Sequence, residues 1–292
     1  MKKTEIPLSE NLGKGHLACA GCGAAISMRL TLKALGEKTV LVIPASCWSI
    51  IPGSWPYSSF RVNAIHAGFV TGGATASGVR AALDIRGDHE SIVAVWAGDG
   101  GTFDIGIQAL SGAAERNEDF IYICNDNEGY MNTGTQRSSA TPYLAWTTTT
   151  PVRQPKENPK KDIMAIMADH QIPYAATATI AYPEDLLQKM EKAKRIRGTR
   201  FIHLLSPCPP GWRTASELSV KLSRLAVRSR IFPLYEVENG RTYTLQEESH
   251  TIPVKEYLKL QGRFNHLTEK DIEEIQRRVD DTYERLLRRA RC

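Results

Sequence analysis

Five short runs of almost unbroken apolar, β-favouring residues recur along the chain: TVLVIP (39–44), VNAIHAG (62–68), SIVAVWAG (91–98), FIYICND (120–126) and FIHLLSP (201–207). A strand with one wet face alternates apolar and polar residues. Runs this continuous are expected to be buried on both faces, as in a parallel sheet covered by helices. Helical patterns fall between them, near 22–35, 72–84, 104–116 and 183–196. The expected class is therefore α/β: a doubly wound, mainly parallel sheet. With 292 residues, 42% of them hydrophobic, the chain can fill one large core or two smaller ones.

In such folds ligands lie beyond the carboxyl ends of the strands, so the loops after Pro44, Gly98, Asp126 and Pro207 are expected to converge. Residues 129–159, rich in Thr, Ser, Asn and Pro, show neither helical nor strand period, and an ordered loop of that length usually has a functional reason. From Ile231 the pattern changes to a short FPLYEV strand, a turn at Glu238-Asn239-Gly240 and a charged helix from about Thr268 to Arg291. This divides the chain into a binding domain (1–230) and a C-terminal extension (231–292) expected to contact another subunit. No internal repeat or low-complexity tract is present.

Charge excludes one class of partner. Lys and Arg number 37 against 32 Asp and Glu, and the +5 balance is too small and too evenly spread to argue for nucleic acid. The start MKKTEIPLSE leads into no apolar h-region, and no stretch approaches the roughly 18 apolar residues of a membrane span. A cytoplasmic protein is expected. Six cysteines without a secretion signal then point to metal or redox use rather than disulfides.

Their placement is informative. Cys19 and Cys22 form a C-x-x-C entering a helical pattern, while Cys47 and Cys208 each follow a strand end. All four could meet at one sheet edge and supply the four thiolates of a [4Fe-4S] cluster. Structural zinc would accept the same ligands, although zinc sites usually pair two close knuckles and here two cysteines stand singly. Cys124, inside a strand run, is expected to be a small core residue, and Cys292 a tail thiol.

A second constellation surrounds Gly98-Asp99-Gly100-Gly101 at one strand end and Asn127, 28 positions after Asp99, at the next. Magnesium prefers hard oxygens in octahedral geometry and often bridges to a phosphate. Asp99, the Asn127 amide oxygen and the Gly129 carbonyl would form such a clamp. The glycines would let the backbone approach a diphosphate, and a helix entered near Asp104 would aim its amides at the charge. Alone, Gly-Asp-Gly is often a tight turn; the Asn in register raises its significance. An EF-hand fails, because the ligand position after Glu128 falls on Tyr130 and no terminal Glu is correctly placed. His16, a possible cap of the cysteine loop, and His66, in an apolar run, receive no role.

Across about residues 12–212 the sequence resembles the β subunit of the 2-oxoacid:ferredoxin oxidoreductases, in particular the pyruvate enzymes, through HLACAGCGAA, PASCWSI, AGDGGTFDIGIQALSGAAERN, CNDNEGYMNTGTQRSSATPYLAWTTTTP and SPCPPGW in family order. The resemblance implies a thiamine diphosphate-binding fold. It matches Cys19, Cys22, Cys47 and Cys208 to the ligands of the [4Fe-4S] cluster nearest the thiamine, with Cys47 also beside the cofactor. It matches Asp99, Asn127 and Gly129 to the Mg2+ ligands, and Gly98, Gly100 and Gly101 to the diphosphate lining. Asn132, in the NTG signature, matches a catalytic Asn beside the thiazolium ring. The implied reaction converts pyruvate to acetyl-CoA and CO2, with electrons passing to ferredoxin.

No glutamate here matches the one that activates the aminopyrimidine, and no ferredoxin-like cysteine runs occur. The resemblance therefore implies an α subunit that completes the site, with γ and ferredoxin-like δ subunits as further candidate partners. The rivals are another 2-oxoacid (branched-chain, aromatic, 2-oxoglutarate, or oxalate without coenzyme A), a non-redox thiamine enzyme, and a non-catalytic subunit. The ACAGCGAA and TPYLAWTTTTP segments look closer to the pyruvate or branched-chain type.

Overall fold

The structure, a computed structural model, describes residues 6–246 and 248–291; Cys292 lies outside them. One eight-stranded sheet organises the chain, in the order β2-β1-β3-β4-β6-β5-β7-β8. Its strands are β1 (Thr39–Pro44), β2 (Asn63–Ala67), β3 (Ile92–Gly98), β4 (Phe120–Asp126), β5 (Tyr174–Thr179), β6 (Thr199–Leu205), β7 (Tyr235–Glu238) and β8 (Thr242–Leu245). The pairings among β1 to β6 are all parallel. β7 joins β5 antiparallel, and β8 joins β7 antiparallel. From Tyr235 the C-terminal segment thus continues the same sheet before packing its helices. Asn239 (φ 50°) and Gly240 (φ 68°) make the left-handed β7–β8 turn, a conformation Asn and Gly adopt at least cost.

The helices are α1 (Gly23–Leu35), α2 (Gly72–Ile85), α3 (Ile107–Glu115), α4 (Ile163–Asp169), α5 (Pro183–Arg195), the single turn α6 (Pro209–Trp212), α7 (Ser219–Arg228), α8 (Val254–Leu258) and α9 (Glu269–Arg291). Successive strand residues point to opposite faces, so Leu41 and Ile43 of β1 pack with Met28 and Leu32 of α1 and Met190 of α5, while Val42 enters the opposite core with Leu110 of α3 and Met167 of α4. A third cluster, around Trp212, Leu222, Leu234, Tyr257 and Phe264, fastens the C-terminal segment.

Two expectations need correction. The run 62–68 is not buried on both faces: Asn63, Ala64, Ile65 and His66 are all exposed, because β2 is the edge strand. The helix expected over 104–116 begins later, at Ile107, and residues Gly100–Asp104 instead form a wider π-helical turn. The sequence reading also missed β5, whose YAATAT lacks large aliphatic side chains although every residue of it is buried. No helix among the described residues is long and apolar enough to cross a membrane.

Candidate functional site

The strand order turns between β1 and β3, the neighbours whose connections run to opposite sides of the sheet. A crevice opens beyond their carboxyl ends, as expected of doubly wound folds. It is lined by residues 45–47 after β1, 98–101 after β3, and 127 and 129–133 after β4, together with Ser49 and Phe69. Gly98, Asp99, Gly100, Gly101, Asn127, Gly129, Asn132 and Cys47 all lie on this one wall. The loop after β6 does not line it directly: the Cys208 sulfur borders Gly211, which is packed against Met131, and Met131 lines the cleft.

Asp99 is 1% exposed. Burial, and then the charge of Asp126, pushes its carboxyl well above the usual range. Ser138 Oγ donates to Asp99 Oδ2 at 2.5 Å, and this bond, the charge of Lys160 and a backbone hydrogen bond oppose the shift without overcoming it. The Asn127 carboxamide places one heavy atom 2.9 Å from Asp99 Oδ1 and 2.8 Å from the Gly129 carbonyl oxygen. With nitrogen there, it donates to both. With oxygen there, three oxygens come together around a carboxylate that, among the described residues, makes no salt bridge of its own and feels a positive charge only from Lys160, which is bound to Asp126 and Glu128. That donor set suits a hard divalent ion, whose charge would offset the desolvation of Asp99.

Beside it, the π-turn is shaped by the protein's own ring. A Cβ on Gly100 would lie 2.2 Å from the Tyr130 ring, so the missing side chain there admits Tyr130 rather than a ligand. The Tyr130 hydroxyl donates to Asp104 Oδ2 at 2.8 Å, and the Ser139 amide donates to the same oxygen at 3.1 Å. These bonds hold the long 129–159 loop over the turn. Thr102 Oγ1 donates to the Gly98 carbonyl at 2.8 Å and fixes the end of β3.

Below the loop, Asp126 at the end of β4 is fully buried, 2.7 Å from His203 Nε2 and 2.5 Å from Lys160 Nζ. Burial alone would raise its carboxyl; Lys160 and His203 hold it below the usual range. Lys160 is lowered by burial, but Asp126 and Glu128 outweigh this and keep it above the usual lysine range.

The four cysteines gather at the adjoining corner. Cys19 is exposed, and Cys22, Cys47 and Cys208 are half-buried. Burial pushes the Cys47 thiol up to about 11, with Cys22 and Cys19 adding to it. Burial pushes Cys208 up to about 12, with Cys22, Cys47 and Cys19 again contributing. Thiols held protonated by burial and by neighbouring cysteines, as Cys47 and Cys208 are, suit an electropositive core, which would offset both effects. Among the described residues no three His, Cys, Asp or Glu side chains are already grouped at single-metal-ion geometry. Cys124 is 0% exposed within β4.

Asn132 is exposed on the cleft. The His16 ring accepts from the Ala18 amide at 3.4 Å, within the cysteine loop, and neither His16 nor the edge-strand His66 lines the cleft. The sequence reading missed Ser138, Asp104, Tyr130, Lys160 and His203. Tyr130 and Ser138 do fall inside the quoted NEGYMNTGTQRSS run, whose density of turn and hydroxyl residues was the available signal.

Residues 52–204, over half of the chain, match the family described as the thiamine pyrophosphate enzyme, C-terminal TPP binding domain. The chain is 50% identical to ketoisovalerate oxidoreductase subunit VorB of Pyrococcus furiosus, over 99% of this chain and 96% of that one. It is 48% identical to pyruvate synthase subunit PorB of Methanocaldococcus jannaschii, over 95% and 96% respectively. Among solved structures, 2-oxoglutarate:ferredoxin oxidoreductase from Magnetococcus marinus, with 2-oxoglutarate, coenzyme A and succinyl-CoA bound, superposes with a TM-score of 0.57 at 20% identity, covering 94% of each chain, a likeness of fold. Near-full coverage by such relatives, on a chain with a strand-end crevice at its topological switch, means that it belongs to the 2-oxoacid:ferredoxin oxidoreductases, as the thiamine diphosphate-binding β subunit of a multi-subunit oxidoreductase.

Proposed function

We propose that this subunit carries thiamine diphosphate, its Mg2+ and one [4Fe-4S] cluster in an enzyme that oxidises pyruvate to acetyl-CoA and CO2 and passes the electrons to ferredoxin. One observation carries the reading. Cys47 lines the same cleft as Asp99 and Asn127, and its thiol feels Cys22 and Cys19, so the two constellations share a wall. When bound, thiamine diphosphate would supply an electron sink for decarboxylation and the cluster a nearby one-electron acceptor.

The chain's own residues bind and orient. Asp99, Asn127 and the Gly129 carbonyl would take Mg2+, with Ser138 fixing the Asp99 carboxylate. Gly98 and Gly101, with the Gly100 backbone whose Cβ space Tyr130 occupies, would receive the diphosphate, and Cys19, Cys22, Cys47 and Cys208 the iron. Asn132 would donate its amide hydrogen to a substrate oxygen, while Phe69 and Met131 exclude water from the cleft. The cleft measures about 250 Å³, below the roughly 300–1,000 Å³ of complete small-molecule sites, and its described lining brings one carboxylate, Asp99, and no glutamate. This supports an α subunit that closes the site and brings the activating glutamate. Its landing surface would be the apolar ground around β2, where Ile65, Val70, Trp55 and Tyr57 are exposed. Coenzyme A and γ and δ subunits complete the proposed assembly, located in the cytoplasm.

A second reading, oxidation of a branched-chain 2-oxoacid, is favoured by the 50% identity to the ketoisovalerate subunit. The test is anaerobic co-purification with the partner chains, metal analysis, and assay of a 2-oxoacid panel with and without coenzyme A. Pyruvate with coenzyme A should give the highest kcat/KM. A higher value with ketoisovalerate would establish the second reading, and a colourless, iron-free complex would sink the redox assignment.

A further inference from the structure

Glu128 sits between two proposed Mg2+ ligands, yet it does not line the cleft that Asn127 and Gly129 line. Its backbone is left-handed, φ 68°, a conformation costly for a residue with a side chain. Every polar group it has is occupied. Its amide donates to Asp126 Oδ1 at 2.9 Å, and its carbonyl accepts from Thr141 Oγ1 at 2.9 Å. Its carboxylate, 2% exposed, accepts from Lys160 at 2.9 Å and from Arg263 Nη2 at 2.6 Å.

Arg263 comes from 135 residues away, on the short turn Gly262–Phe264 between α8 and α9. It is 1% exposed, and its guanidinium is aligned by Gln261 Oε1 at 2.7 and 2.9 Å. It also lies 4.1 Å over the Trp212 ring, whose Nε1 donates to the Asn127 carbonyl at 2.8 Å. Two groups from beyond the β6 strand therefore grip the loop at adjacent residues: one at the backbone of a ligand, the other at the carboxylate beside it. An unpaired carboxylate here would swing toward solvent through the cleft and repel an arriving diphosphate. Two cations hold it turned away.

We propose that Arg263 and Trp212 are positioning residues for the metal loop, so that docking of the C-terminal segment sets the affinity of the subunit for Mg2+ and thiamine diphosphate. This rests on the reading of the crevice as the diphosphate site. Asp126 and Thr141 hold the Glu128 backbone and Lys160 one of its carboxylate oxygens, while the other oxygen is held by Arg263.

The test uses the co-purified complex stripped of cofactor and titrated calorimetrically with Mg2+ and thiamine diphosphate, with iron content and visible spectrum recorded in parallel. Absence of wild-type binding would overturn the diphosphate reading itself. Given wild-type binding, Arg263→Met should weaken it about 10- to 100-fold, as loss of a residue supporting metal ligands does, with iron unchanged. Arg263→Lys should recover part of the loss. Glu128→Gln combined with Arg263→Met should bind better than Arg263→Met alone, since the buried carboxylate that lost one of its two cations is then gone. Should Arg263→Met fail to fold, Trp212→Phe decides, because it removes the donor to the Asn127 carbonyl while keeping an aromatic ring in place. Wild-type affinity in Trp212→Phe, or in a folded Arg263→Met, would overturn the proposal.

Discussion

The metal loop and the cysteine corner adjoin, but they are held in different ways. At the metal loop the buried carboxylates have partners within the chain: Asp126 with His203 and Lys160, Glu128 with Lys160 and Arg263, Asp99 with Ser138. At the cysteine corner the backbone is anchored, by Gly23 N to the Pro207 carbonyl at 3.0 Å and by Ser219 Oγ to the Gly21 carbonyl at 2.5 Å, while the half-buried Cys47 and Cys208 thiols are pushed up by burial and, to a smaller extent, by the neighbouring cysteines. One site is shaped before its ligand arrives. The other leaves its completion to the inorganic group, as metal sites coupled to local folding do.

The largest expected effect comes from breaking the preshaped side at its centre. Asp99→Ala should lower thiamine diphosphate and Mg2+ retention by on the order of 100-fold or more while leaving iron in place, since second-sphere changes alone cost 10- to 100-fold. Calorimetric binding at wild-type strength would contradict it. On the other side, Cys208→Ala should lose or degrade the cluster, read as iron per chain and visible absorbance. Cys124→Ala, a truncation in a strand with no proposed role, should keep full iron and cost only about 1–2 kcal/mol of stability. Equal iron loss in both would erase the distinction between ligand and core cysteine.

A subtler contrast concerns order. Removing iron by chelation should raise amide exchange in residues 13–22 and leave residues 126–141 little changed, whereas stripping Mg2+ and thiamine diphosphate should alter the second segment only slightly. Uniform loosening after either treatment would mean that the two regions are not held differently.

The smallest effect is set by pH. Glu10 ties the segment leading into the cysteine loop to α1, bonding Arg29 at 2.5 Å and Lys33 at 2.8 Å, and these two, Arg29 first, hold its carboxyl down to about 2. A depressed carboxyl pKa contributes stability that is whole above the ordinary 4.5 and is lost as pH falls from there toward 2. For so exposed a pair this should amount to less than about 1 kcal/mol. Glu10→Gln should flatten the difference, measured as amide protection of residues 7–12 between pH 6 and pH 3.

Much of this was legible beforehand. FIYICND is a strand over its whole length, and Asp99 and Asn127 meet because two adjacent parallel strands end in register beside the point where strand order turns. Periodicity and strand-end chemistry carry that kind of information. What lay hidden was non-local or quiet. Nothing near Glu128 announces a partner at position 263, β5 conceals itself in alanine and threonine, and the reason Gly100 must be glycine is a tyrosine thirty positions on. The apolar look of 62–68 misled because hydrophobicity reports that a strand needs a cover without saying whose.

That uncovered edge has a consequence for the life of the subunit in the cell. β2 pairs with β1 along one side only, and its outer row of amides and carbonyls is a ready template for any strand that meets it. A copy made in excess of its partners would offer this row to other orphan copies, so synthesis in step with the rest of the complex guards against aggregation as well as securing activity.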